Sequence, residues 1–307
     1  MDPYTRTWLN EYSQERQRQR RLRALNRFQQ WLQGVYGMEP KALLAKAKRG
    51  SRGPEKVERV LREYYQFLID EKRNAKSSAA QWYALLRSFF TANGVDLGRY
   101  PRKIGVQSVY EKARVPSQDN VKEMLQTRNS KRDRFVIAFF AQTGQRIGVL
   151  TAMKRNMITK GASGHGLVKV PQTLRNPRGE NVNESGLPYT FVIGRDTMRL
   201  LGELPLYEGG WLLDISQRQM ARIVDEAARA VRIQKKEPTD IGRSWSTVHP
   251  NTFRKYWRNR MIEAGSDQRL VLYMMGYKVP SILGTFEPTH EKLLEVYENA
   301  ESKLEVL

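Results

Sequence analysis

The 307-residue chain contains no cysteine. Disulfides, thiolate metal sites and a cysteine nucleophile are thereby excluded, and the composition fits a reducing compartment. Histidine is nearly as scarce. His165, His249 and His290 are the three in the chain, and no two stand at metal-ligand spacing. Neither a metal centre nor a cofactor is expected. Long apolar runs are missing as well. The longest, FVIAFFA, is too short to cross a bilayer, and the opening MDPYTRTWLNEY lacks the apolar stretch of a signal peptide. The reading is a soluble cytoplasmic protein without a membrane partner. Negative charge is also in short supply: 32 Asp+Glu stand against 53 Lys+Arg, a formal net charge of +21. A polyanion is the natural partner for such an excess. The basic residues are spread along the chain rather than gathered in one tail, which favours nucleic acid over a membrane surface. The plainer alternative is a basic protein with no such partner. GASGHGL begins like a phosphate loop but lacks the Gly-Lys-Ser/Thr ending, and neither GxSxG nor HExxH occurs. ATP-driven and zinc-dependent chemistry therefore has no sequence support.

What is present is enough apolar residue, 40%, to build real cores, over a length that suits two domains. Residues 1–97 read as helices only. Leu22, Leu25, Phe28, Trp31 and Leu32 recur at roughly helical spacing, and arginines crowd the rest of that helix. A short helix follows near Pro40 to Lys48. Pro54 opens a third that buries Val57, Val60, Leu61, Tyr64 and Leu68, and a fourth carries Trp82, Leu85, Leu86 and Phe89 up to Gly94. The expectation is a four-helix domain with a basic face. Arg16, Arg20, Arg23 and Arg27 are its candidate DNA contacts, against the simpler reading of a solvated face. Residues 98–116 show no clean period and read as a linker. From Ser117, a helix cap, a second domain runs to 307. GLVKV and YTFVIG form a hairpin there around a polar, turn-rich connection. The other segments are helices, among them one with Phe253, Tyr256, Trp257, Arg260, Met261 and Ala264 on one face. The fold class is mainly α with a small β-hairpin or sheet.

Two arginines stand in apolar context. Arg146 follows the helical run RFVIAFFAQTG, and apolar residues resume at Ile147. Arg254 lies one turn into NTFRKYW. A guanidinium in such a setting costs several kcal/mol unless an anion meets it. The anion is either a carboxylate elsewhere in the chain or a ligand. Two guanidiniums can clamp one phosphate through paired hydrogen bonds and stabilise charge gained in a pentavalent transition state.

Around these arginines three segments resemble the boxes of the tyrosine recombinases, the family of phage-type integrases and Xer-type recombinases. AQTGQRIGVLTAM is similar to the family's first arginine box, HPNTFRKYWRNRMIEAG to its second and MMGYKVPSILGTF to its third. The likeness covers about 117–307, with a loose match of the N-terminal helices to a core-binding domain. The resemblance implies a catalytic recombinase domain that cleaves and rejoins DNA through a 3′-phosphotyrosyl link. It implies a dimer and then a synaptic tetramer on double-stranded DNA, with the tail helix docking on a neighbouring subunit, in a nucleoid-associated protein. Arg146 and Arg254 would hold the phosphate. Lys169 on the first hairpin strand would be the general acid, with Arg175 and Arg178 as rivals or as DNA contacts. Lys255 and Arg258 would contact DNA.

Departures from the family pattern are specific. Asn251 stands where the second box has histidine, with His249 two residues earlier. Asn251 can bond a phosphate oxygen or cap the helix, but cannot shuttle a proton. Val149 replaces the acidic residue that supports the first arginine. Tyr277 stands at the histidine or tryptophan of the third box, either as a phosphate donor or as a packed aromatic. Phe286 occupies the position of the nucleophilic tyrosine and has no oxygen to attack phosphorus. Three explanations stay open: a deliberate Tyr→Phe change in an active recombinase, a natural DNA-binding relative without activity, or a nucleophile at Tyr297, Tyr273 or Tyr277. The non-standard boxes hint at an archaeal or mobile-element lineage.

Overall fold

The computed structural model describes the chain except residues 13–14, 51, 73–75, 99–113, 162, 239–243 and 281–285, and the side chains at 16, 77, 236–238, 244 and 245. It divides into two units, Met1–Val109 with Pro238–Ser244, and Tyr110–Glu237 with Trp245–Leu307. Most of the expected linker, 99–113, lies outside the described residues.

The first unit contains five described helices rather than four: α1 (Pro3–Asn10), α2 (Glu15–Tyr36), α3 (Pro40–Arg49), α4 (Gly53–Asp70) and α5 (Lys76–Ala92). The unanticipated one, α1, has a clear local cause. Asp2 accepts from the Thr5 N–H at 3.0 Å, and Pro3 sits at the first helical position. Trp8 then buries itself, donating its indole N–H to Ser88 Oγ at 2.9 Å. Phe28, Leu61, Tyr64, Leu86, Phe89 and Phe90 complete this core. Inside it, Arg87 and Tyr83 both hydrogen-bond the Glu58 carboxylate, which offsets the cost of burying that charge.

The second unit is built around α7 (Lys131–Thr143), whose residues from Phe135 to Thr143 are all buried. A helix that is apolar all round must be covered all round, and this one packs on α6 (Gln118–Gln126), α9 (Arg195–Gly202), α10 (Gln217–Ala230), α11 (Pro250–Glu263) and the strand Tyr189–Ile193. The cap expected at Ser117 is formed, its hydroxyl accepting from the Asn120 N–H at 3.1 Å, and the Asn120 side chain completes a capping box. The sheet is antiparallel in the order β1 (Ile158–Lys160), β2 (Gly166–Val170), β3 (Tyr189–Ile193), with Val168 opposite Phe191 and Ile158 opposite Val168. The β2 and β3 strands are the anticipated hairpin. The edge strand β1 is an addition, because three residues are too few to show a period. A short pair, β4 (Lys236–Pro238) and β5 (Ser244–Ser246), precedes α11.

Short helices α8 (Ile147–Ala152) and α12 (Gln268–Met274) and the tail helix α13 (His290–Leu304) complete the second unit. The tail packs on its own chain. Leu293, Val296, Tyr297, Ala300 and Leu304 are buried, and Gln118 Nε2 donates to the Glu305 carbonyl at 2.8 Å. No helix among the described residues is long and apolar enough to cross a membrane.

Candidate functional site

Two helix ends and one helix start converge on a single buried guanidinium. α7 stops at Gly144, whose φ of +60° is a left-handed cap. α12 stops two residues before Gly276, at φ +71°. Both ends leave carbonyls without helical partners. Arg254, 5% exposed on the first turns of α11, fills that gap: its Nη1 donates to the Gly144 carbonyl at 2.7 Å and its Nη2 to the Met275 carbonyl at 3.1 Å. Gln145 repeats the bridge beside it, donating to Met274 O at 2.7 Å and accepting from the Tyr189 hydroxyl at 3.0 Å. Segments far apart in the sequence are thereby fixed against one another by hydrogen bonds to backbone.

A cavity of about 310 Å³ opens over this junction, lined by Arg146, His249, Asn251, Thr252, Arg254, Lys255, Arg258, Met275 and Tyr277. Its walls are cationic. The Arg146 side chain is 22% exposed, less deeply buried than its apolar neighbours suggest, and its Nε pairs with Glu184 at 3.2 Å. Glu184, itself 72% exposed, is the only carboxylate paired with either arginine among the described residues. An ion pair so open to water contributes little and is readily exchanged for another anion. Glu184 reaches Arg146 from the connection between β2 and β3.

Tyr277 lies between the two arginines, each guanidinium carbon 5.2 Å from its ring centre. Burial raises its phenol, but a hydrogen bond from Arg254 and the charges of Arg254, Arg146 and Arg258 outweigh burial and bring it below the ordinary value. Arg254 is lowered by burial and by Arg146, against the bond to Tyr277, yet a guanidinium remains charged. Tyr189, deeper in, is pushed up to about 12 by burial. Burial, then Lys255, lowers His249 and favours its neutral imidazole.

Of the residues singled out from the sequence, Arg146, Asn251, Arg254, Lys255, Arg258 and Tyr277 meet in this cavity. Lys169 is exposed on β2 and does not line it. Arg175 and Arg178 are exposed on the connection beyond β2, where Arg175 Nη1 donates to Gly179 O at 2.6 Å. Phe286 lines a smaller hollow with Tyr273, Gly276 and Tyr277, so the two cavities share the Tyr277 wall. Its ring sits 5.9 Å from that of Tyr273, with the Arg269 guanidinium 4.6 Å above it. Of the other tyrosines weighed as nucleophiles, Tyr297 is fully buried and donates to Gln142 O at 2.7 Å, and Tyr273 is 7% exposed. In the first unit, Arg20, Arg23 and Arg27 are exposed along α2; Arg20 bonds Gln81 and Arg27 lies 4.8 Å over Trp82. The side chain of Arg16 lies outside the described residues. Sequence reasoning assigned no role to His249, Thr252, Met275, Gln145 or Glu184. Only His249, beside the second box, carried a signal.

No family model and no curated protein matches the chain. Solved structures do. A Tn1549 transposon integrase in complex with a circular intermediate DNA superposes with a TM-score of 0.51 at 13% identity, over 90% of this chain and 94% of that one. A Tyr→Phe variant of the same integrase, in complex with transposon right end DNA, gives a TM-score of 0.50 at 13% identity over the same shares, 90% and 94%. The XerH site-specific recombinase, bound to its difH substrate in a pre-cleavage complex, gives 0.50 at 13% identity, over 78% of this chain and 69% of that one. The chain shares their fold.

Proposed function

We propose that the chain is a site-specific DNA recombinase or integrase of the tyrosine-recombinase type, acting on double-stranded DNA without metal, cofactor or ATP. The observation that carries this reading is the cavity in which Arg146 and Arg254 stand together with one exposed, exchangeable carboxylate. A DNA phosphate is the anion such a cavity suits. Charge and bidentate geometry match it, and the +21 chain supplies long-range attraction. In the active form a tyrosine hydroxyl at position 286 attacks the phosphate held by the two guanidiniums. The P–O5′ bond breaks, leaving a 3′-phosphotyrosyl link and a free 5′ hydroxyl. The link conserves the bond energy for rejoining. Asn251 and Tyr277 contribute donors to the phosphate oxygens, and Lys169 is the general acid only if its strand carries it to the cavity on DNA. Lys255, Arg258, Arg175 and Arg178, with Arg16, Arg20, Arg23 and Arg27 of a core-binding domain (1–97), contact the backbone. The assembly is a dimer, then a synaptic tetramer, in the nucleoid. With Phe286 this chain binds and does not cleave, as a Tyr→Phe form of a recombinase would.

A second reading is favoured by Phe286, Asn251 and Val149 taken together: a DNA-binding protein of recombinase descent that has no cleavage activity. The Phe286→Tyr variant separates the two. It is incubated with nicked DNA carrying the native attachment site and examined for an SDS-resistant adduct. An adduct with tyrosine, absent with phenylalanine, supports the recombinase. Tight binding with no adduct supports the second reading, and absence of binding defeats both.

A further inference from the structure

Breaking the P–O5′ bond leaves an alkoxide that needs a proton, and the cavity itself offers few donors. Lys169 is exposed outside it. Arg146, Arg254 and Arg258 hold their protons at any working pH. Asn251 has no acidic proton, and the Nε2 atom of His249 is buried from solvent. Tyr277 is different. The residue is 44% exposed, it lines the cavity, and the two guanidinium carbons lie 5.2 Å from its ring centre.

Resting on the recombinase reading, we propose that Tyr277 is the general acid that protonates the leaving 5′ oxygen. As the bond from phosphorus to the oxygen at position 286 forms, the P–O5′ bond breaks. Its electron pair stays on O5′, which takes the Tyr277 proton, while the attacking hydroxyl releases its own proton to solvent. Tyr277 is left as a phenolate between Arg146 and Arg254, the charge arrangement that favours it. Its lowered phenol value agrees with that role. Rejoining reverses the transfer: the phenolate takes the proton of the 5′ hydroxyl as that oxygen attacks phosphorus, and the bond from phosphorus to the oxygen at position 286 breaks, that oxygen taking a proton from solvent. The rival donor is Lys255, whose ammonium lines the same cavity.

The test uses the full-length Phe286→Tyr chain, alone and combined with Tyr277→Phe or Lys255→Met. Each is given a DNA substrate with oxygen, or with sulfur, at the bridging 5′ position. A thiolate leaves without protonation, since a thiol ionises at about 8.5. Tyr277→Phe is expected to slow adduct formation on the oxygen substrate by roughly 100-fold or more, a usual contribution of a general acid. On the sulfur substrate it should stay within about tenfold of its parent. Sulfur rescue of Lys255→Met in place of Tyr277→Phe overturns the assignment. So does equal loss of Tyr277→Phe on both substrates, or no loss on oxygen. If Phe286→Tyr alone forms no adduct with either substrate, the recombinase reading fails and takes this assignment with it.

Discussion

Arg254 shows how one side chain joins fold and chemistry. Its two hydrogen bonds to the Gly144 and Met275 carbonyls occupy one edge of the guanidinium, and the group still borders the cavity. A lysine keeps the charge but cannot span both carbonyls. Arg254→Lys is therefore expected to cost about 1–3 kcal/mol of stability, the usual penalty for a buried acceptor left unpaired. Urea unfolding measures it, and an unchanged midpoint would show that the bridge contributes nothing. Both arginines were legible in the sequence because a guanidinium in apolar context demands an anion. Glu184 was not, since its pairing to Arg146 depends on the path of a connection that has no period. Lys169 lies on the expected strand, but the sequence does not say which way a side chain of that hairpin faces the cavity.

Elements were legible where they are long and periodic, as α2, α4, α7 and α11 are. The misses, α1, β1 and the pair β4 and β5, are short, and the first two are fixed by contacts the sequence does not display: Trp8 against α5, and Ile158 against Val168. The helix ends at Gly144 and Gly276 were legible; that the Gly144 and Met275 carbonyls beside them both accept from Arg254 was not. A Cβ on Gly276 would stand 2.7 Å from the Tyr189 ring, in a left-handed conformation that other residues adopt at a cost. Gly276→Ala should lower stability by roughly 1–3 kcal/mol and weaken DNA binding by displacing Tyr277. Thermal unfolding and a binding titration together check this, and stability lost with full affinity retained would separate the turn from the site. The tail helix adds a pH dependence. Burial raises the Glu301 carboxyl, but bonds from Arg195 and His165 outweigh it and hold it below its ordinary 4.5. Its stabilising contribution is then complete above that value and is lost as pH falls through the lowered one. Glu301→Gln should flatten the acid limb of a stability profile measured by urea unfolding. A limb of unchanged steepness would place the acid sensitivity elsewhere.

For the molecule as a whole, the charge of +21 was the plainest signal and the least specific. It indicates a polyanion and not which one. DNA affinity should fall steeply and linearly with the logarithm of salt, by about 0.9 for each phosphate neutralised. Arg20→Gln should reduce that slope by about 1, and a slope near zero would remove DNA as the partner. The tail helix covers the core of its own unit with Leu293, Val296, Tyr297, Ala300 and Leu304. The most direct measurement is to digest the adduct of the Phe286→Tyr chain with nuclease and protease and locate the nucleotide-bearing peptide by mass spectrometry. Attachment at position 286 is the result predicted. Attachment at Tyr277 or Tyr273, or no modified peptide from a chain that binds DNA tightly, would contradict it.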